Sequence, residues 1–262
     1  MKSDQKIVIV IPARYKSSRF EGKPLAEILG EPMILKVCKL CNKVLDKQHI
    51  YVATDNNLIK DMVESAGFKV VMTSVAHETG TDRVAEAATL IDADIYVNVQ
   101  GDEPVLNPND IRKIIEEKLQ SKNHVINGYT VILPKEDADN RNIPKVIFTE
   151  RKRMVYMSRE KLPGFKSGSN KPNEYYKQVC IYAFNKSELD AFSKYGGKTS
   201  LEHSEDIEIL RFLELDIPVK LVKTASASIA VDVPEDIAKV ERYILDRETN
   251  WGIDYHGMWR IW

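Results

Sequence analysis

The sequence predicts an α/β protein on a doubly wound, mostly parallel sheet, and three observations predict it. The run Ile7–Ile11 is five β-branched apolar residues without a polar break, the signature of a strand buried on both faces. Strand-like and helix-like stretches then alternate as far as residue 124. Polar, glycine-containing loops follow the strand-like runs, and in open parallel sheets the carboxyl ends of strands are where ligands bind.

Pro12 is expected to end the first strand, because proline has no N–H for the ladder. The loop after it carries Arg14, Lys16, Arg19 and Lys23, with the small residues Ser17, Ser18 and Gly22 between them. A buried strand leading into a basic loop and then a helix suits a polyphosphate. A helix near residues 34–42 contains Cys38 and Cys41; with no second ligand pair at suitable spacing, these two are assigned to core packing. Strands at 49–55 and 69–73 flank a helix at 56–66, which Gly67 closes. The loop 77–83 (HETGTDR) opens a helix at 84–91, with Thr81 or Asp82 as cap. It is either an ordinary cap or a place to recognise a base or ribose, and spacing fits both.

The stretch 94–104 alternates Ile95, Val97 and Val99 and ends in Gln100, Gly101 and Asp102. Asp102 is placed either to bind Mg²⁺, which takes one or two carboxylates with phosphate oxygens and water, or to cap the helix at 109–119. From residue 124 the pattern shifts to strands at 125–133, 145–148, 154–159 and 175–184, with a flexible loop at 163–173 and a short helix at 189–195. A helix from 199 to about 215 places Glu202, Glu205, Glu208 and Arg211 at three-residue spacing, the pattern of a solvated face. A strand is expected at 219–224 and another at 229–232. Asp232, before the helix start at 234–236, either caps that helix or joins Asp102 at a metal. The tail 248–262 holds all three tryptophans and is expected to pack on the body or on another subunit.

Composition narrows the class. The chain has 262 residues, 43% of them hydrophobic, with 38 basic against 39 acidic residues and a formal net charge of −1. There is no basic excess to suggest nucleic acid. Three cysteines suit a reducing compartment, and no apolar run approaches membrane-spanning length. The expectation is a soluble cytoplasmic protein that engages neither nucleic acid nor membrane.

Several stretches together carry a resemblance: 11–24 (IPARYKSSRFEGKP), 52–55 (VATD), 80–83 (GTDR), 98–104 (NVQGDEP), Ser158–Arg159, 201–203 (LEH) and 231–236 (VDVPED). In this order they resemble the 3-deoxy-manno-octulosonate (KDO) cytidylyltransferases over residues 7 to about 245. The resemblance implies a Rossmann-like core at 1–124 and 196–247, with a smaller β-rich insertion at 125–195 for the sugar site and dimerisation. It implies that CTP and a 2-keto-3-deoxy sugar acid give a CMP-sugar and pyrophosphate with Mg²⁺, in a cytoplasmic homodimer that supplies lipopolysaccharide or capsule synthesis. By motif match, Arg14, Ser18, Arg19 and Lys23 hold the triphosphate, and Thr81 and Arg83 lie near the cytidine. Asp102 and Asp232 bind the metal. Gln100, Arg159 and Glu205 or Glu208 contact the sugar acid. The chain departs from the family at 178–182. Where KDO enzymes read His-Leu-Gly-Ile-Tyr, it reads Gln-Val-Cys-Ile-Tyr, and Gln178 cannot become cationic. The departure leaves room for 8-amino-KDO or another 2-keto-3-deoxy acid. A nucleotide-binding protein without turnover is the competing class, and Lys23, Asp102 and Asp232 speak against it.

Overall fold

The computed structural model describes residues 5–17, 19–134, 136–225 and 228–253, with side chains through residue 247. Strand β1 (Ile7–Ala13) lies between β4 (Ile50–Thr54) and β6 (Ile95–Val99), parallel to both; β5 (Lys69–Met72) extends the sheet beyond β4. A two-residue hairpin, β2 (Glu27–Ile28) and β3 (Glu31–Pro32), stands apart from this sheet. The central run is completed by β7 (Val125–Val131), β10 (Tyr176–Asn185) and β11 (Val219–Lys223), giving the order β11-β7-β10-β6-β1-β4-β5. Only β10 in that row runs antiparallel to its neighbours, β6 and β7. Strands β8 (Lys145–Phe148) and β9 (Met154–Ser158) extend from β10.

The alternation along β1 explains its uninterrupted apolar run. Val8 and Val10 enter one core layer, Ile9 and Ile11 the other, and all four are fully buried. Helices α1 (Met33–Cys41), α2 (Asn57–Ser65) and α4 (Pro108–Gln120) cover the Ile9 face through Ile34, Ile59 and Ile114. Helices α3 (Gly80–Leu90), α5 (Lys186–Lys194) and α7 (Leu210–Glu214) cover the other through Val84, Phe192 and Phe212. Burying one such side chain contributes about 1.5–3 kcal/mol. Short α6 (Ser200–Glu205) precedes α7, and α8 (Glu235–Ile253) closes the described chain. Cys38 and Cys41 are free and fully buried; burial raises the Cys38 thiol to about 12 and Cys41 well above its usual range, so both serve as core. No described helix is long and apolar enough to cross a membrane.

Several local expectations are corrected. β1 continues through Pro12, which pairs with Ala53 of β4; the pairing with β6 stops after Val10, so a missing N–H is tolerated at Pro12. Helix α3 begins at Gly80, and its cap is Thr79 in a reciprocal capping box with Asp82. Residues 229–232 form no strand; Val231 N–H bonds the carbonyl of Asp102 at 3.0 Å instead. The long helix expected at 199–215 is α6 and α7, broken at Asp206, whose φ of 50° is left-handed. Its supposed solvated face is partly buried, with Glu202 and Arg211 both under 2% exposed. Within the stretch 125–195, β7 and β10 lie inside the central row, while β8 and β9 branch from it. Ser18 and 254–262 lie outside the described residues, as do the side chains of 248–253.

Candidate active site

The carboxyl ends of β1, β4 and β6 share one edge, and the reversal of β10 brings its first residues to that same edge. Two adjoining cavities open there, of about 200 and 380 Å³, both lined by Glu78, Thr79, Gly80, Gln100, Asp102 and Asp232.

The first cavity is built by the loop after β1. The Tyr15 N–H donates to Asp55 at 3.2 Å, and Gly22, at φ 68°, returns its N–H to the Tyr15 carbonyl at 2.9 Å. A side chain at that φ would be strained. Arg14, Ser17, Arg19 and Lys23 therefore face one space, with His77 and Arg83 on its far wall. Arg83 is buried and donates to Asp55 at 3.0 Å and to Thr73 at 2.5 Å, so the carboxylate that receives Tyr15 N–H is itself fixed from behind. Thr81 lines neither cavity; it is fully buried in the first turn of α3, its N–H donating to Glu208 at 3.0 Å.

Between the cavities stand the two expected metal-site carboxylates. Neither caps a helix: Asn107 caps α4, and at α8 Asp236 accepts from the N–H groups of Asp232 and Val233. A Cβ at Gly101 would stand 2.9 Å from the Pro12 carbonyl, so glycine lets the Asp102 loop lie against the end of β1. Asp232 is carried by the segment that Val231 anchors in a small core with Ile28, Met33 and Val240. The Lys23 ammonium donates to Asp102 at 2.6 Å and to the Val231 carbonyl at 3.0 Å, and lies 3.9 Å from Asp232. Arg19 also reaches Asp232, at 3.4 Å. A cation thus already sits between the two carboxylates. Among the described residues no three His, Cys, Asp or Glu side chains group as ligands. Two hard oxygen donors fit Mg²⁺ that completes its shell with phosphate oxygens and water.

The second cavity is lined by Arg159, Gln178, Lys198, Asp206 and Glu208, with Glu103 at its floor. Burial pushes the Glu103 carboxyl up to about 7, helped by neighbouring Asp102 and opposed by a hydrogen bond from Ser228. Burial likewise raises Glu208. Glu205 does not line the cavity. Burial disfavours its charge, but bonds from Arg159 N–H, Ser158 and Tyr156 outweigh that and hold its carboxyl low, fastening β9 to α6. Gln178 donates to Asn127 at 3.2 Å and Tyr182 at 3.3 Å, beside a bulge in β10 whose Val179 and Ile181 carbonyls the Asn127 amide satisfies.

The two cavities are tied together beneath their floors. Arg211 grips Glu202 with two bonds, at 2.6 and 2.7 Å, reaches Asp82 at 2.8 Å and lies 3.6 Å over the Phe192 ring. Through Asp82 it holds the capping box of α3, and through Glu202 the start of α6. Sequence reading missed this network, along with His77, Lys198 and Asp206 as cavity residues. The HETGTDR loop was the one available signal for His77.

A basic loop after the first strand, facing one carboxylate just past β6 and another on the segment before α8, is the site of a nucleotidyltransferase on a Rossmann-like sheet. The comparisons place it further. The chain belongs to the cytidylyltransferase family, whose model matches residues 8–219. It is 36% identical over 247 residues to a 3-deoxy-manno-octulosonate cytidylyltransferase of Syntrophus aciditrophicus, covering 93% of this chain and 99% of the relative. It is 40% identical over 242 residues to an 8-amino-3,8-dideoxy-manno-octulosonate cytidylyltransferase of Shewanella frigidimarina, covering 90% and 97%. A solved CMP:2-keto-3-deoxy-manno-octonic acid synthetase complexed with CTP superposes with a TM-score of 0.85 at 34% identity, covering 92% of this chain and 99% of the other.

Proposed function

We propose that this chain transfers the cytidylyl group of CTP to a 2-keto-3-deoxy sugar acid, with KDO as first choice and 8-amino-KDO as second, in a homodimer serving lipopolysaccharide or capsule synthesis. The observation that carries the reading is the pair of adjoining cavities, one basic and one mixed, that meet at Lys23, Asp102 and Asp232.

Arg14, Arg19 and Lys23 bind the triphosphate in the first cavity, with Arg83 and the turn at Thr81 toward the cytidine; the motif match adds Ser18, which lies outside the described residues. Gln100, Arg159, Gln178 and Glu208 line the place for the sugar acid, and Glu205 holds Arg159 from behind. The anomeric hydroxyl attacks the α-phosphorus in line. A new P–O bond forms, the bond to the β-phosphate bridging oxygen breaks, pyrophosphate leaves and the hydroxyl proton passes to solvent. Positioning and charge neutralisation dominate such a transfer. Asp102 and Asp232 would hold Mg²⁺, which supplies phosphate charge neutralisation and a lower pKa for the attacking hydroxyl. The Lys23 ammonium, which lies on Asp102 and lines the first cavity, neutralises charge on the phosphate oxygens. Removing one such electrostatic donor costs about 2.7–4 kcal/mol elsewhere.

Relatives of both substrate names support the second reading, as does Gln178, which offers a neutral amide where the KDO enzymes resembled here carry a histidine. The test is pyrophosphate release with CTP and Mg²⁺ across KDO, 8-amino-KDO, N-acetylneuraminate and a neutral sugar phosphate. Turnover confined to the first two supports the proposal, and their ranking identifies the sugar. Turnover of the sugar phosphate alone, or CTP binding with no turnover on any of the four, overturns it.

A further inference from the structure

Two cations line the second cavity, Arg159 and Lys198, and their partners differ in kind. The Arg159 guanidinium is committed to fixed acceptors. It donates to the backbone carbonyls of Glu205, Arg141 and Asp206, the last two at 2.9 Å each. Its work is largely to clamp loops. The Lys198 ammonium donates to a side-chain acceptor, the carboxylate of Asp206, at 2.8 Å. That carboxylate is 72% exposed, whereas Lys198 is 21% exposed.

The other Asp206 oxygen lies 3.9 Å from the Arg159 guanidinium. One carboxylate therefore spans both cations of the cavity, the arrangement a bound carboxylic acid would adopt. Two nearby acids also bear on Lys198. Glu202 is bound to Arg211, and Glu78 stands where the two cavities join. Asp206 occupies the left-handed break between α6 and α7, and Arg159 fixes its backbone carbonyl. A rotation about its side-chain bonds alone would take the carboxylate to solvent while the chain stays in place.

We infer that Lys198 is a binding residue for the carboxylate of the acid substrate, and that Asp206 is an internal stand-in which the substrate displaces. The inference rests on the proposed function, since it needs an acid substrate in this cavity. It assigns to Lys198 the mobile cationic contact that Gln178 cannot supply and that Arg159 has largely spent on the backbone. It also gives the two site residues opposite signs. Removing Lys198 weakens substrate binding, and removing the charge of Asp206 strengthens it, because the competitor is lost.

The experiment is calorimetric titration of KDO and of 8-amino-KDO into the full chain loaded with Mg²⁺ and α,β-methylene CTP, which cannot release pyrophosphate. Turnover with CTP is measured alongside. Lys198→Met is expected to weaken sugar-acid binding about tenfold, the scale of one charge-assisted hydrogen bond. Lys198→Arg should restore part of the loss, and affinity for the nucleotide analogue should stay unchanged. Asp206→Asn is expected to tighten sugar-acid binding about threefold, with asparagine well suited to the left-handed backbone. An ordinary surface ion pair would leave sugar affinity unmoved in both variants, which overturns the inference. So does weaker binding in Asp206→Asn, which would make Asp206 a support of the site. Wild-type binding of either acid without turnover, with these opposed shifts, overturns the proposed reaction and keeps the inference. Absence of wild-type binding overturns both.

Discussion

Replacing Arg211 by methionine tests the link beneath the two cavities. Arg211 and Glu202 side chains are each 1% exposed, and the guanidinium makes two bonds of 2.6 and 2.7 Å to Glu202 and one of 2.8 Å to Asp82. The methionine leaves Glu202 as a buried carboxylate with no counter-charge. Breaking a buried pair from one side costs about 3–5 kcal/mol, a large share of the roughly 5–15 kcal/mol that holds a domain together. The loss of the cation stacked on Phe192 adds to this. Urea unfolding should therefore show a much lower midpoint at an unchanged slope. Glu202→Leu combined with Arg211→Met should recover most of the loss, since an apolar pair of similar volume removes the stranded charge. A single-variant cost below about 1 kcal/mol, or a double variant that costs as much as the two singles summed, would refute the reasoning.

Further outcomes are specific. Asp102→Asn should lower Mg²⁺-dependent turnover by about 10²–10³ while the far-ultraviolet circular dichroism is unchanged, and near-normal activity would remove Asp102 from the metal site. Glu103 gives a pH dependence of known sign. It keeps its proton in the fold up to about pH 7, while the unfolded chain ionises near 4.5, so folding binds the extra proton in that window and stability falls as pH rises through it. Relative to Glu103→Gln, the metal-free wild type should lose about 3 kcal/mol of unfolding free energy between pH 4.5 and 7, and parallel curves would contradict the shift.

The sequence made the first strand and its loop legible because a β-branched run and a basic, glycine-containing turn are local signals. Asp102 and Asp232 were legible in position but ambiguous in role; in the structure neither caps a helix, Asn107 capping α4 and Asp236, in the first turn of α8, accepting the Asp232 N–H. What could not be read depends on partners distant in sequence. Arg211 at three-residue spacing from three glutamates reads as a solvated face, and only partners distant in sequence, Asp82 on α3 and the Phe192 ring on α5, turn it inward. The break at Asp206 left no proline or glycine to announce it. Pro12 was misplaced for a similar reason, because whether a missing donor matters depends on which neighbour a strand has at that residue.

The antiparallel strand of the central row, β10, has a kinetic consequence. β7 follows β6 in the chain, yet the two never pair, because β10 stands between them. Nothing in the β7 and β11 half can join the sheet until residues 176–185 exist and have found Val97 and its neighbours on β6. Closing such long loops adds only about 0.6 kcal/mol per doubling of length, but that entropy is lost before any pairing rewards it. During synthesis, β1, β4, β5 and β6 can assemble while the apolar edge of β6 waits for β10. That waiting edge is the place where a partly made chain is most exposed to wrong pairing.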